Sequence, residues 1–190
     1  MNSGQYVSLS RRFVEIHSTD FDNEPDSIWA SLATRETGKT WDEILTNDVT
    51  ILLGTAGAGK TTEVRYQVER LIEQGQDAFL MRLEALQDGT LAGSFDFELE
   101  HQPERFEKWK KSKKGGYLFF DALDEARLPS SRNESALEKA LAIVTQEVGR
   151  RDGPLHVLIT SRPSEWLGDG DVRRLTRFIK QTRNATQDLG

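Results

Sequence analysis

A glycine-rich segment followed by a lysine and a threonine holds the residues best suited to chemistry. Glycines stand at positions 54, 57 and 59, and Lys60 and Thr61 follow directly. Glycine lets the backbone curl so that consecutive N–H groups point inward and form a nest for anionic oxygens. A helical pattern begins behind Lys60, and a helix N-terminus adds a positive dipole and unpaired N–H groups. The segment therefore predicts a site for phosphate groups.

Residues 54–61, GTAGAGKT, fit the pattern G-x-x-x-x-G-K-[ST] of phosphate-binding loops. Lys60 would reach the β- and γ-phosphates, and the Thr61 hydroxyl would bind Mg²⁺. Residues 38–40 repeat the Gly-Lys-Thr ending, but Ala33 replaces the first glycine and no apolar run precedes it, so we interpret that match as chance. The predicted nucleotide-binding residues are those of the loop and the first helical turn: Gly54, Thr55, Ala56, Gly57, Ala58, Gly59, Lys60, Thr61 and Thr62.

A second group of chemically useful residues follows the apolar run at 117–120, where Asp121, Asp124 and Glu125 are found. Ligands of open parallel sheets bind beyond the C-terminal ends of the strands. Asp121 is therefore predicted to bind Mg²⁺, directly or through water, opposite Thr61. Asp124 or Glu125 would orient or deprotonate an attacking water, and we favour Glu125. An acidic turn after a strand is common by itself, but together with the upstream loop it indicates a catalytic site.

A third apolar run, at 155–160, is followed by Ser161, Arg162 and Pro163. If this strand lies between the other two, Thr160, Ser161 and Arg162 would lie near the γ-phosphate. An arginine at that position can respond to the presence of the phosphate, so Arg162 is a candidate catalytic residue.

The elements that must position these residues alternate between strands and helices. Apolar runs predict buried strands, and apolar residues at helical spacing predict the intervening helices. The predicted strands are 49–53, 77–83, 117–121 and 155–160, and the predicted helices cover 64–72, parts of 95–114, the stretch from Ser131 or Asn133 to 148, and a short amphipathic piece at 172–179. A T-x-x-E capping box at 40–43 opens one more short helix. The fold class is α/β.

Composition narrows the class of protein. At 190 residues the chain suits one α/β domain. It has no cysteine, no apolar run near the ~20 residues of a membrane span and no signal-peptide pattern, so we expect a cytoplasmic protein. The net charge of −6 argues against extensive nucleic-acid binding. We expect an N-terminal extension at 1–39, a nucleotide-binding domain at 40–183 and a polar tail at 184–190.

Three further features have alternative interpretations. The lysines between 108 and 114, with Trp109 among them, would suit a nucleic-acid contact or a solvated helix end, and we favour the helix end. Trp29 or Trp41 could contact an adenine or cover the edge of the core, and we favour the core. The three histidines show no metal-ligand spacing.

The segments GTAGAGKT (54–61), LFFDALDE (118–125) and ITSRP (159–163) resemble motifs of STAND-class signalling NTPases, most closely those of NACHT-type ATPases. In that family a small residue follows the Mg²⁺-binding aspartate, and an acidic pair lies three and four positions downstream. Ala122, Asp124 and Glu125 match this arrangement, and Arg162 matches the arginine of the family's sensor strand. The resemblance covers residues 49–163 and does not include residues 1–39.

The resemblance implies a P-loop NTPase-type three-layer α/β/α fold with a mostly parallel sheet. The implied strand order is 49–53, 155–160, 117–121, 77–83. It also implies ATP or ADP and Mg²⁺ as cofactors, and a switch in which ATP exchange permits self-association for signalling, often in defence or stress responses. The family's lid and winged-helix motifs cannot be located, so we expect a fragment of a longer protein or a degenerate stand-alone domain, with weakened nucleotide binding and slow hydrolysis.

Two other functions remain as alternatives. One is an ATP-driven motor of the AAA+ or helicase type acting on nucleic acid, for which the lysine run is the only local support. The other is an interaction module that binds nucleotide without hydrolysis, against which Lys60, Asp121 and Glu125 stand. The guanine-reading N-K-x-D motif is absent from the sequence, which favours ATP over GTP.

Overall fold

The computed structural model describes residues 11–15, 38–88, 91–121, 136–163 and 169–182. The chain divides into two compact units, residues 1–47 and 48–190, and each is described here by itself. Residue 40, the expected start of the nucleotide-binding domain, falls in the first unit.

The described part of the first unit contains an antiparallel bridge between Phe13 and Lys39 and a one-turn helix, α1 (Trp41–Ile44). The Thr40 side chain accepts from the Glu43 N–H at 3.3 Å, and the Thr40 N–H donates to the Glu43 carboxylate at 2.7 Å. This reciprocal pair confirms the predicted capping box. The backbone N–H of Thr40, and then its hydroxyl, lower the pKa of Glu43.

The second unit is built on a sheet of four parallel strands within the described residues. The strands are β1 (Val49–Leu53), β2 (Ala78–Arg82), β3 (Gly116–Asp121) and β4 (Leu155–Ser161). Their order is β1-β4-β3-β2, which agrees with the expected order. The α/β class is confirmed, and the C-terminal ends of β1, β4 and β3 lie side by side.

The helices of the second unit that the structure describes are α2 (Lys60–Glu73), α3 (Gln102–Ser112), α4 (Ala136–Val148) and α5 (Asp169–Thr182). Helix α3 covers part of 95–114, which agrees with the prediction that parts of this stretch are helical. Residues Glu84–Asp88 form a 3₁₀ helix in which Leu86 is buried in the core. One prediction was wrong in extent. Helix α5 has 14 residues and is longer than the predicted short helix.

The two sheet faces have different cores. Successive strand residues point to opposite faces. Phe79, Leu118 and Val157 belong to one large cluster that also contains the buried hydrophobic residues of α3, α4 and α5. Helix α2 contacts β2 and β3, yet its buried Val64, Val68 and Leu71 lie outside that cluster, which indicates that α2 covers the other face. Phe120 and Ile159 belong to the large cluster, so the side chains of the next residues, Asp121 and Thr160, lie on the second face, beside α2.

Candidate phosphate and metal site

The segment 54–59 connects β1 to α2 in a tight curl. Gly57 and Gly59 have φ angles of 72° and 76°, a region in which an L side chain is strained. The Ala58 N–H donates to the Thr55 carbonyl at 3.3 Å, and the Gly54 N–H donates to the Ser161 carbonyl at 3.1 Å. Gly57 and Gly59 thus have a backbone reason to be glycine, and β4 anchors the start of the loop.

The loop offers backbone donors to an anion. Within the described part of the chain, no protein acceptor is bonded to the backbone N–H groups of Thr55, Ala56, Gly57 and Gly59, all of which are exposed residues. The first N–H groups of α2 have no intrahelical acceptor either, and they carry the positive end of the helix dipole. The loop and the helix start are therefore suited to bind phosphate oxygens.

The Lys60 ammonium lies across this loop. It donates to the Gly54 carbonyl at 2.6 Å and to the Thr55 carbonyl at 2.9 Å. An ammonium has three N–H donors, so one more remains for a ligand. The charge needed to neutralise a phosphate is therefore held at the loop by its own carbonyls.

The Asp121 carboxylate is the point at which three elements meet. Asp121 ends β3 and is only 3% exposed. The Thr61 hydroxyl, in the first turn of α2, donates to Asp121 Oδ2 at 2.6 Å. The Thr160 hydroxyl, near the end of β4, donates to Asp121 Oδ1. The two predicted metal ligands are therefore in direct contact, and a second hydroxyl, that of Thr160, which was not predicted to contact them, binds the other carboxylate oxygen.

This donor set fits Mg²⁺. One carboxylate and one hydroxyl supply hard oxygen ligands, and Mg²⁺ commonly uses one or two carboxylates and retains several waters. In the described ranges no group of three or more His, Cys, Asp or Glu residues could hold a metal ion.

Arg65 is a site neighbour that the sequence interpretation missed. It lies one turn after Thr61, where residues four apart share a helix face. Its Nη2 and Nε donate to the Asp96 carboxylate at 2.9 and 3.2 Å, and its Nη1 pairs with Glu98 at 2.8 Å. Burial lowers the pKa of Arg65, but the hydrogen bond to Asp96 and the charges of Asp96, Glu98 and Asp121 outweigh it and raise the pKa overall. The helical spacing could have indicated Arg65, whereas nothing local marks Asp96.

The remaining predicted residues have different outcomes. Arg162 directly follows β4 and is exposed. It therefore lies at the C-terminal end of the parallel strands, the end at which Asp121 terminates β3. Asp124 and Glu125 lie outside the described residues. The strand register pairs Phe120 with Ile159, so Asp121 and Thr160 are the next neighbours on one face. The register of β3 and β4 is therefore the observation that identifies Thr160 as a partner of Asp121.

The position of Trp109 does not support the alternative of a nucleic-acid contact. Its side chain is 2% exposed, and its indole N–H donates to the Gly115 carbonyl at 2.9 Å. A ring in that position presents no face on which a base could stack. Among the described helices, none has the length and apolar character needed to cross a membrane.

Comparison of the chain with models of known protein families and with curated proteins gave no match. The candidate function therefore depends on the geometry of residues 54–61, Asp121 and Thr160.

Proposed function

We propose that the chain is a Mg²⁺-dependent nucleotide-binding domain that binds and slowly hydrolyses ATP. The observation that carries the proposal is the 2.6 Å contact between Thr61 and Asp121, directly behind a glycine loop that Lys60 crosses. Anion donors, a cation and hard oxygen ligands are adjacent, which is the combination that a Mg²⁺-triphosphate requires.

Each part of the site has a distinct proposed role. The N–H groups of the loop and the start of α2 bind the phosphates, and Lys60 neutralises charge on them. Thr61 and Asp121 would hold Mg²⁺, which supplies charge neutralisation on the phosphate oxygens when bound. Arg162 contacts the terminal phosphate. Glu125, or alternatively Asp124, orients or deprotonates the attacking water.

The biological role follows from the resemblance to NACHT-type ATPases. We propose a switch domain of a signalling protein, in which the bound nucleotide controls self-association or contacts with further domains. The three matching motifs and the observed strand order support this role.

Thermal unfolding with nucleotide is the direct test. A ligand at 100 times its dissociation constant adds about 2.7 kcal/mol, and a domain of this size gains roughly 2–4 °C for each kcal/mol. We expect Mg²⁺-ATP and Mg²⁺-ADP, but not Mg²⁺-GTP, to raise the midpoint by several degrees. Lys60→Ala should abolish the rise, because the loop loses its cation.

Lys39→Ala is the matched control, since Lys39 is the lysine of the chance Gly-Lys-Thr match and pairs with Glu15 on the surface. This variant should retain the full nucleotide response. An equal response of wild type and Lys60→Ala would contradict the proposed site. Phosphate release then separates the alternatives: loss on Glu125→Gln supports hydrolysis, no turnover in wild type indicates the non-hydrolysing module, and stimulation by DNA or RNA indicates the motor.

A further inference from the structure

The Thr160 hydroxyl has a position that the roles above do not explain. Thr160 is fully buried in β4, and its hydroxyl donates to Asp121 Oδ1. Oδ2 of the same carboxylate accepts from Thr61. The two carboxylate oxygens therefore have different partners: Oδ1 faces Thr160 of β4, and Oδ2 faces Thr61 at the start of α2.

A carboxylate with one donor can rotate about its terminal torsion, which is broad for aspartate. A second donor on the other oxygen fixes the plane of the group. Thr160 can act in this way because β4 is paired with β3 and its backbone is therefore held beside Asp121. Its neighbour Ser161 does not share the task, since the Ser161 hydroxyl donates to the Arg162 carbonyl at 3.2 Å.

We propose that Thr160 is a positioning residue that orients Asp121 toward the metal. The inference rests on the proposed function. The Thr160 hydroxyl holds Oδ1, so that Oδ2 is presented beside Thr61, where Mg²⁺ would bind. Thr160 itself contacts neither the metal nor the phosphates. Partners that orient a metal ligand in this way typically contribute 10–100-fold to metal affinity.

The test measures how Mg²⁺ changes nucleotide affinity. A fluorescent methylanthraniloyl-ATP is titrated against the full chain in EDTA and at increasing Mg²⁺ concentrations. Thr160→Val removes the hydroxyl and keeps the shape of the side chain. We expect unchanged affinity in EDTA and a rise of about 10-fold in the Mg²⁺ concentration needed for half of the Mg²⁺-dependent gain. Thr160→Ser keeps a hydroxyl and should restore the wild-type value.

The matched control is Thr182→Val. Thr182 is also fully buried, but its hydroxyl donates to the Phe178 carbonyl at 3.1 Å at the end of α5. It should leave the Mg²⁺ dependence unchanged. If Thr160→Val does not fold, Thr160→Ala, which also lacks the hydroxyl, gives the same reading.

The outcomes are separable. A wild-type Mg²⁺ dependence in the variant without the hydroxyl refutes the positioning role while leaving the proposed function intact. A variant that weakens binding equally in EDTA and in Mg²⁺ also refutes it, because a merely structural loss does not depend on the metal. If the wild-type chain binds no nucleotide under either condition, the proposed function is refuted and the positioning role is refuted with it.

Discussion

Arg65 and Asp96 form the most specific charged contact among the described residues near the site. The Arg65 guanidinium donates to both oxygens of the Asp96 carboxylate, which is 2% exposed. Its third nitrogen, Nη1, pairs with the Glu98 carboxylate. A planar fork that matches a carboxylate in this way is a property of arginine that lysine does not have. The pair joins α2, which follows the glycine loop at 54–59, to the segment that precedes α3.

Replacing Arg65 by lysine tests this contact. Lysine keeps the charge but loses the second hydrogen bond to the buried Asp96 carboxylate, whose Oδ1 would then retain only the Glu98 N–H at 3.0 Å. We expect the free energy of unfolding to fall by about 1–3 kcal/mol, measured by chemical denaturation.

Arg174→Lys is the control for that change, because Arg174 pairs with Glu138 at 3.4 Å on the surface. Exposed pairs contribute about 0–1 kcal/mol, so this variant should be close to wild type. Equal effects of the two substitutions would show that the buried fork has no special role.

At the residue scale, the sequence identified the local pattern and missed the distant partners. The loop residues 54–61 could be predicted because the required glycines, lysine and threonine are adjacent in the chain. Asp96 and Thr160 could not be assigned to their partners, because Arg65 and Asp121 lie far from them in sequence. Such contacts are created by the sheet register and by a loop without periodicity.

At the element scale, Arg151 links several backbone segments at the end of the sheet opposite the candidate phosphate and metal site. Arg151 is fully buried and donates to the carbonyls of Trp109 and Lys110, in the last turn of α3, and to the Lys114 carbonyl. Its guanidinium also lies 3.9 Å from the centre of the Trp109 ring. Burial lowers the pKa of Arg151, and the charge of Asp77 partly compensates. The C-terminal carbonyls of α3 are thus satisfied by a cation, as the helix dipole favours.

Arg151→Lys should therefore be strongly destabilising. Lysine cannot bond all of these carbonyls at once, and its more strongly hydrated ammonium would be buried. We expect a loss of about 2–4 kcal/mol in the free energy of unfolding. The adjacent and exposed Arg150 provides the control, since Arg150→Lys should change stability by less than about 0.5 kcal/mol. Denaturant unfolding of both variants measures these losses of stability. Similar midpoints for the two variants would contradict the proposed stabilising role of Arg151.

The elements themselves were predicted better than their ends and connections. All four described strands were found, because continuous apolar runs bounded by polar turns are a strong signal. The role of Arg151 could not be predicted, since a charged residue between α4 and β4 gives no sign that four carbonyls will surround it.

At the scale of the whole sheet, the outer edge of β2 is covered. The Leu80 N–H donates to the Gln102 side chain at 2.7 Å, while the Asp96 N–H donates to the Leu80 carbonyl at 3.0 Å. The Arg82 N–H bonds the Ser94 carbonyl at 2.8 Å. These bonds pair the polar backbone groups of an edge that would otherwise attract another strand. The residues of β1, by contrast, are only half-buried along their whole length.

This difference predicts an order of hydrogen exchange. Opening free energies are highest for buried core strands and lower for exposed elements. We expect the amides of β3 and β4 to exchange most slowly and those of β1 to exchange measurably faster. Native-state exchange followed by mass spectrometry of peptides that cover each strand tests this order. Protection of β1 equal to that of β3 would contradict it.

The sheet order has a consequence for how the protein acquires its site during synthesis. Among the described strands, β1 pairs with β4 alone, and the two are on the order of a hundred residues apart in the chain. Parallel pairing at that separation is slow, since loop closure must precede the contacts that reward it. The nascent chain therefore carries the complete loop long before β4 leaves the ribosome. The proposed capacity to bind phosphate should therefore arise late, when β4 inserts between β1 and β3 and brings the Ser161 carbonyl to Gly54 and Thr160 to Asp121.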